Sequence, residues 1–222
     1  MNWRGCMSAT AWLSGWKSCS EPRLADCSEA LNTLGLDTLT RGLPVFETDL
    51  NRAFPGSSAG PLPARLAAAL MTALTGSTLV VDIHASNIYL REIPQVRINQ
   101  DFEDLLVPIA RNMNLDLIWL HGAATVLETT VAHSLNSCGT PCLVVEMGVG
   151  MRITPEFCEQ LVAGILAVWK EIGVLAPDVT IPVTSHTALI ADDSNVHYLN
   201  AQTSGMFIPT ASHWTDVHRG EL

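Results

Sequence analysis

Basic residues are scarce in this 222-residue sequence: 12 Lys and Arg stand against 22 Asp and Glu, a formal charge of −10. Phosphate backbones are bound through clustered Lys and Arg, so the balance argues against a nucleic-acid partner and against a polybasic membrane anchor. No apolar run is long enough to cross a bilayer. The longest, Leu66 to Val81, is broken by Thr72, Thr75, Gly76, Ser77 and Thr78 and reads as a helix followed by a strand. Arg4 lies near the start without a clean apolar run or small-residue cleavage site behind it, so no secretory signal is expected and the cytoplasm is the expected location. Six cysteines form no Cys-x-x-Cys pair. Cys138 and Cys142 flank a Gly-Thr-Pro turn where redox chemistry is conceivable, but the reading is buried thiols. With 48% hydrophobic and only 15% charged residues, the chain is globular and long enough for one substantial core.

Three regions differ in texture. Residues 1–29 hold three of the six Cys and three of the six Trp without a sustained period. From residue 30 to 177 apolar strands alternate with helical stretches. Ser77–Ile83 and Pro141–Met147 are β-branched runs suited to buried strands, with Leu115–Leu120 a shorter one. Helices are expected over about 64–74, over 101–113 capped by Asp101 with Phe102, Leu105, Leu106 and Ile109 on one face, and over about 126–135. Thr154 and Pro155 open a further long helix whose stripe is Phe157, Leu161, Ile165, Val168 and Ile172, and Gly173 stops it. The pattern predicts an α/β fold, a mostly parallel or mixed sheet with helices on both faces. Residues 178–222 read as the start of a small, truncated β domain, with short alternating stretches at 196–201 and 205–209.

Chemistry concentrates at three places. Asn51 and Arg52 precede a Pro-Gly turn in DLNRAFPG, where an amide and a guanidinium fork can hold a carboxylate by parallel hydrogen bonds. A surface arginine in a loop is the competing account. His84 closes the strand VVDIH, and ligands of open α/β sheets bind beyond the carboxyl ends of the strands. It is either a metal ligand backed by Asp82 or a hydrogen-bonded strand-end histidine. Glu146 follows Leu143-Val144-Val145, where a lone carboxylate either pairs or is kept as a general base. Arg91 and Arg97 read as solvated or structurally paired.

Taken in order, LNTLGLDTLTRG, ETDLNRAFPG, VVDIHASN and CLVVEMG resemble the succinylglutamate desuccinylase and aspartoacylase branch of the carboxypeptidase-like zinc hydrolases, from about Leu31 to the C-terminus. That resemblance implies a zinc-dependent hydrolase of amide bonds in N-acyl amino acids or related small carboxylate-bearing substrates. Asn51 and Arg52 would hold the substrate carboxylate, and Arg41 would be a second anion contact. His84 would be the third zinc ligand, and Glu146 would activate the zinc-bound water. Zinc lowers the pKa of a bound water to about 7, and an anchored substrate makes the attack nearly unimolecular.

The family's His-Gly-x-Glu motif, source of the first two ligands, is missing: His84 is the first histidine of the chain. Catalytic zinc normally takes three protein ligands, so weak zinc binding and impaired turnover are expected of the chain as written. Back-translating Met1-Asn2-Trp3 and reading from the third base gives Glu-Leu. Permitted codons then continue to Leu13 as a helix start of the kind that follows His-Gly-Asp-Glu. Residues 1–29 are therefore expected to be an out-of-frame or atypical segment. The rival function is a non-catalytic remnant that binds an anionic metabolite. A phosphatase built on Asp82 and His84 lacks any further Asp or His cluster.

Overall fold

The computed structural model describes residues 11–15, 25–28, 30–122, 128–182 and 186–220. Seven strands form one sheet: β1 (Ala11–Gly15), β2 (Ala25–Ser28), β3 (Leu79–Ala85), β4 (Glu92–Asn99), β5 (Leu117–His121), β6 (Cys142–Gly148) and β7 (Leu189–Asp192). Their order is β2-β1-β3-β6-β4-β5-β7. The pairs β3–β6, β4–β5 and β5–β7 are parallel, whereas β1–β2, β1–β3 and β4–β6 are antiparallel. The sheet is therefore mixed. Because β4 and β5 run against β6, the carboxyl ends of β3 and β6 share one edge with the amino ends of β4 and β5.

Among the described residues five α-helices accompany the sheet: α1 (Thr33–Thr38), α2 (Leu62–Leu74), α3 (Glu103–Ala110), α4 (Val131–Ser137) and α5 (Pro155–Glu171). Side chains alternate across a strand, and the core divides accordingly. Val81, Val96, Ile98, Ile118, Leu143 and Val145 pack with Leu106 of α3 and with Leu161, Ile165 and Val168 of α5. Val80 and Cys142 face the other way, against Ala67 and Leu74 of α2 and Val131 and Leu135 of α4. Helices thus cover both faces. Among the described residues, no helix is long and apolar enough to cross a membrane.

Several expectations shift. The helix expected over 101–113 is α3, preceded by a 3-10 turn over Gln100–Phe102, and Asn99 rather than Asp101 caps that turn by accepting from the Asp101 N–H. Leu105 faces solvent while Leu106 is buried. The helix placed at about 126–135 is α4; residues 123–127 lie outside the described residues, and Thr130 caps it. Cys138 is exposed rather than buried, because it ends α4 at the turn, whereas Cys142 enters β6 and is buried. Within residues 1–29 the sheet takes β1 and β2, and the remainder of that stretch lies outside the described residues. Within 178–222, β7 joins the edge of the main sheet beside β5. Residues 193–220 hold no helix or strand.

Candidate active site

β3 carries its apolar residues inward as far as Asp82, which is fully buried, and then opens to His84. β6 does the same up to Glu146. The parallel register sets His84 directly opposite Glu146, so both side chains leave the same face at the shared edge. The loops that follow the two strands are tied together by Gly150 N–H donating to the Asn87 carbonyl at 3.0 Å.

Asp82 Oδ2 stands 2.8 Å from His84 Nε2. The contact is an ion pair of poor hydrogen-bond angle: neither Asp82 oxygen nor His84 Nε2 completes an aligned hydrogen bond. Burial pulls the His84 imidazolium toward neutrality. The Asp82 carboxylate outweighs it, with smaller help from Glu146 and Asp49, and the pKa is pushed up to about 9. Glu146 shows the opposite balance. Burial raises its pKa, and His84 and Arg97 oppose the rise without cancelling it. Its Oε2 is buried without a hydrogen-bond partner.

The loop before α2 is anchored from below. Leu50 and Phe54 are buried in the α2–α4 core, and Phe54 N–H donates to the Thr129 carbonyl at 3.2 Å. Gly56 has a positive φ of 81°, and a Cβ there would lie 2.3 Å from the Ala64 carbonyl oxygen, so only glycine lets the loop close onto α2. Asp49 organises the motif: Oδ1 accepts from the Asn51 N–H at 3.0 Å, and Oδ2 holds Arg41 through Nε at 3.0 Å and Nη2 at 2.9 Å. Asn51 Oδ1 accepts the Val131 N–H at 2.9 Å, capping the start of α4. Arg52 is exposed, its Nη1 donating to the Asn51 carbonyl at 2.7 Å. The influence of Asp49 on His84 puts the amino end of this loop within electrostatic reach of the strand edge.

The structure therefore brings His84, Glu146 and Asp82 together. It sets Asp49, at the amino end of the Asn51–Arg52 loop, within electrostatic reach of His84 and pairs Arg41 with Asp49. Two participants lie on β4 and one on β5, outside the sequence motifs. Arg97 pairs with Glu92, approaches Glu146 Oε1 with Nη1 at 3.7 Å, and stacks over Trp119 with its guanidinium carbon 5.2 Å from the ring centre. Arg91 instead stacks over Phe157 at 5.3 Å. Among the described residues, no three His, Cys, Asp or Glu side chains converge as a metal site, so this arrangement by itself does not fit a catalytic zinc.

The family model for the succinylglutamate desuccinylase/aspartoacylase catalytic domain matches residues 3–172. No curated protein matches the chain. Among solved structures, a succinylglutamate desuccinylase/aspartoacylase from Rhodobacter sphaeroides is similar with a TM-score of 0.68 at 22% identity, over 85% of this chain and 58% of that one. A succinylglutamate desuccinylase from Silicibacter sp. TM1040 gives 0.66 at 18% identity, over 81% and 54%. The product-bound ectoine utilization protein EutE (DoeB) from Ruegeria pomeroyi gives 0.64 at 17%, over 78% and 53%. At these identities the likeness is one of fold, and the chain spans somewhat more than half of each structure.

Proposed function

Because the chain belongs to the succinylglutamate desuccinylase/aspartoacylase family, we propose that its site serves hydrolysis of the amide bond in N-acyl amino acids or related carboxylate-bearing substrates. The observation that carries this reading is the facing pair His84 and Glu146, in register on adjacent parallel strands. Arg52 is exposed, so its fork can turn from the Asn51 carbonyl to a substrate carboxylate, with Asn51 fixing the loop that presents it. Glu146, half-buried and with one oxygen unpartnered, accepts a proton from the attacking water and returns it to the leaving amine. Zinc dependence and impaired turnover belong to the same proposal. By family resemblance His84 is one ligand of zinc, and the described residues supply no second and third.

The test is hydrolysis of N-acetyl-aspartate and N-succinyl-glutamate beside calorimetric binding of both. Removing the fork in Arg52→Ala costs about 1.5–3 kcal/mol of binding, roughly 10–100-fold, for ligands with a free carboxylate and little for their esters. Equal loss for acid and ester would remove Arg52 from the site. The lack of a converging ligand set favours a second reading, a carboxylate-binding protein without turnover. Tight binding with no hydrolysis at saturating zinc would establish it.

A further inference from the structure

Among the described residues, Arg97 is the one arginine whose guanidinium the sheet draws in against the carboxylate of Glu146. Gln95 is the register partner of Glu146, so Arg97, two residues further along β4, leaves the same face of the sheet. Three neighbours hold its guanidinium: Glu92 takes Nη2, its carbon lies over the Trp119 ring 5.2 Å from the ring centre, and Glu146 Oε1 stands 3.7 Å from Nη1. Arg97 Nε and Glu146 Oε2 are both buried without partners. Arginine and a buried carboxylate ordinarily close into a bidentate pair that satisfies such atoms. Here the closure is incomplete, and Glu92 competes for the same fork.

We propose that Arg97 is a positioning residue for Glu146, held on Trp119 and shared with Glu92 so that it orients the Glu146 carboxylate without sequestering it. The inference rests on the assignment of Glu146 as proton acceptor. Trp119 fixes the guanidinium plane, a role lysine cannot fill. Glu92 keeps one arm of the fork away from Glu146, leaving Oε2 without a hydrogen-bond partner in the protein. Removing Glu92 lets Arg97 close fully on Glu146. Removing Arg97 leaves the carboxylate without its nearest fixed charge from β4.

The experiment uses the full chain labelled with carbon-13 at the glutamate carboxyl and nitrogen-15 at the arginine side chain, with NMR resonances assigned by Glu146→Gln and Arg97→Lys. Amide spectra and thermal unfolding establish that each variant retains its fold. The Glu146 carboxyl resonance is expected to shift in Arg97→Met and to return part of the way in Arg97→Lys. In Glu92→Gln it shifts together with the Arg97 Nε–H resonance, and in Trp119→Phe the Arg97 resonance moves. A purely structural arginine would change thermal stability without this linked pattern. Should Arg97→Met fail to fold, Glu92→Gln and Trp119→Phe carry the test. A Glu146 resonance unmoved in the folded variants would overturn the proposal. A chain with the linked shifts but no turnover would leave the positioning role standing and remove only the hydrolytic reading.

Discussion

Burial alone would discharge His84, and the carboxylate of Asp82 prevents it. The folded pKa of about 9 lies above the ordinary histidine value of roughly 6.5. The charged pair therefore contributes its full stability below pH of about 6.5, and the contribution is lost as pH rises through about 9. In chelator-treated protein the urea midpoint should fall between pH 7 and 9, and His84→Gln should flatten that fall. Identical slopes for both proteins would show that His84 does not hold its proton in the fold. His84 and Glu146 were legible in the sequence because each ends an apolar strand, where a polar residue needs a reason. The resemblance implies a second anion contact at Arg41, and the structure sets its Nε and Nη2 on Asp49 Oδ2 while the side chain stays largely exposed. Nothing in a linear sequence marks which of two nearby acids an arginine will choose.

Elements with one strong periodicity were legible, and those carrying mixed signals were not. β3, β6, α2 and α5 follow from β-branched runs and from a 3.6-residue stripe. β4 escaped because Pro94 and the charged Glu92 and Arg97 interrupt its apolar residues. Pro94 cannot donate to a ladder, and it sits where the β4–β6 register slips between Glu92 and Gln95. With β4 unrecognised, Arg97 read as an ordinary surface or paired arginine rather than as a neighbour of Glu146. β7 is only four residues long and mostly exposed, too little pattern to separate it from a loop. α5 depends on a close approach that its stripe does not reveal. A Cβ on Gly164 would lie 1.8 Å from the carbonyl oxygen of Met113, a fully buried residue at the turn after α3. Neither backbone can yield cheaply. Gly164→Ala should therefore destabilise the fold by at least the 1–3 kcal/mol typical of about one extra methyl in a packed core, despite alanine's better helix propensity. Urea unfolding measures it, with Val162→Ala on the exposed face of the same helix as the control. Equal stability of Gly164→Ala and wild type would mean that α5 does not pack so closely on that turn.

At the scale of the molecule, the Asn51–Arg52 loop, the facing His–Glu pair and the supporting sheet occur together in a chain that spans 58% of the Rhodobacter sphaeroides structure it resembles. The zinc question turns on an inventory of ligands. A catalytic zinc takes three protein ligands and a water; among the described residues no three His, Cys, Asp or Glu side chains converge to supply them, and His84 Nε2 is turned to Asp82. Loss of even an outer-shell partner typically costs about 10–100-fold in metal affinity or activity, so two absent direct ligands should cost more than that. Purified in zinc-supplemented buffer and then dialysed, the chain should hold far less than one zinc per molecule by elemental analysis. Its hydrolysis of N-acetyl-aspartate should be slow but measurably above the uncatalysed rate. His84→Gln should change that zinc content little, because a single imidazole holds the metal weakly. Glu146→Gln should leave it unchanged altogether, since that carboxylate is assigned to proton transfer and not to ligation. One zinc per chain, lost in His84→Gln and retained in Glu146→Gln with turnover abolished, would refute the impairment while upholding both residue roles. It would also require the missing ligands to come from residues outside those described.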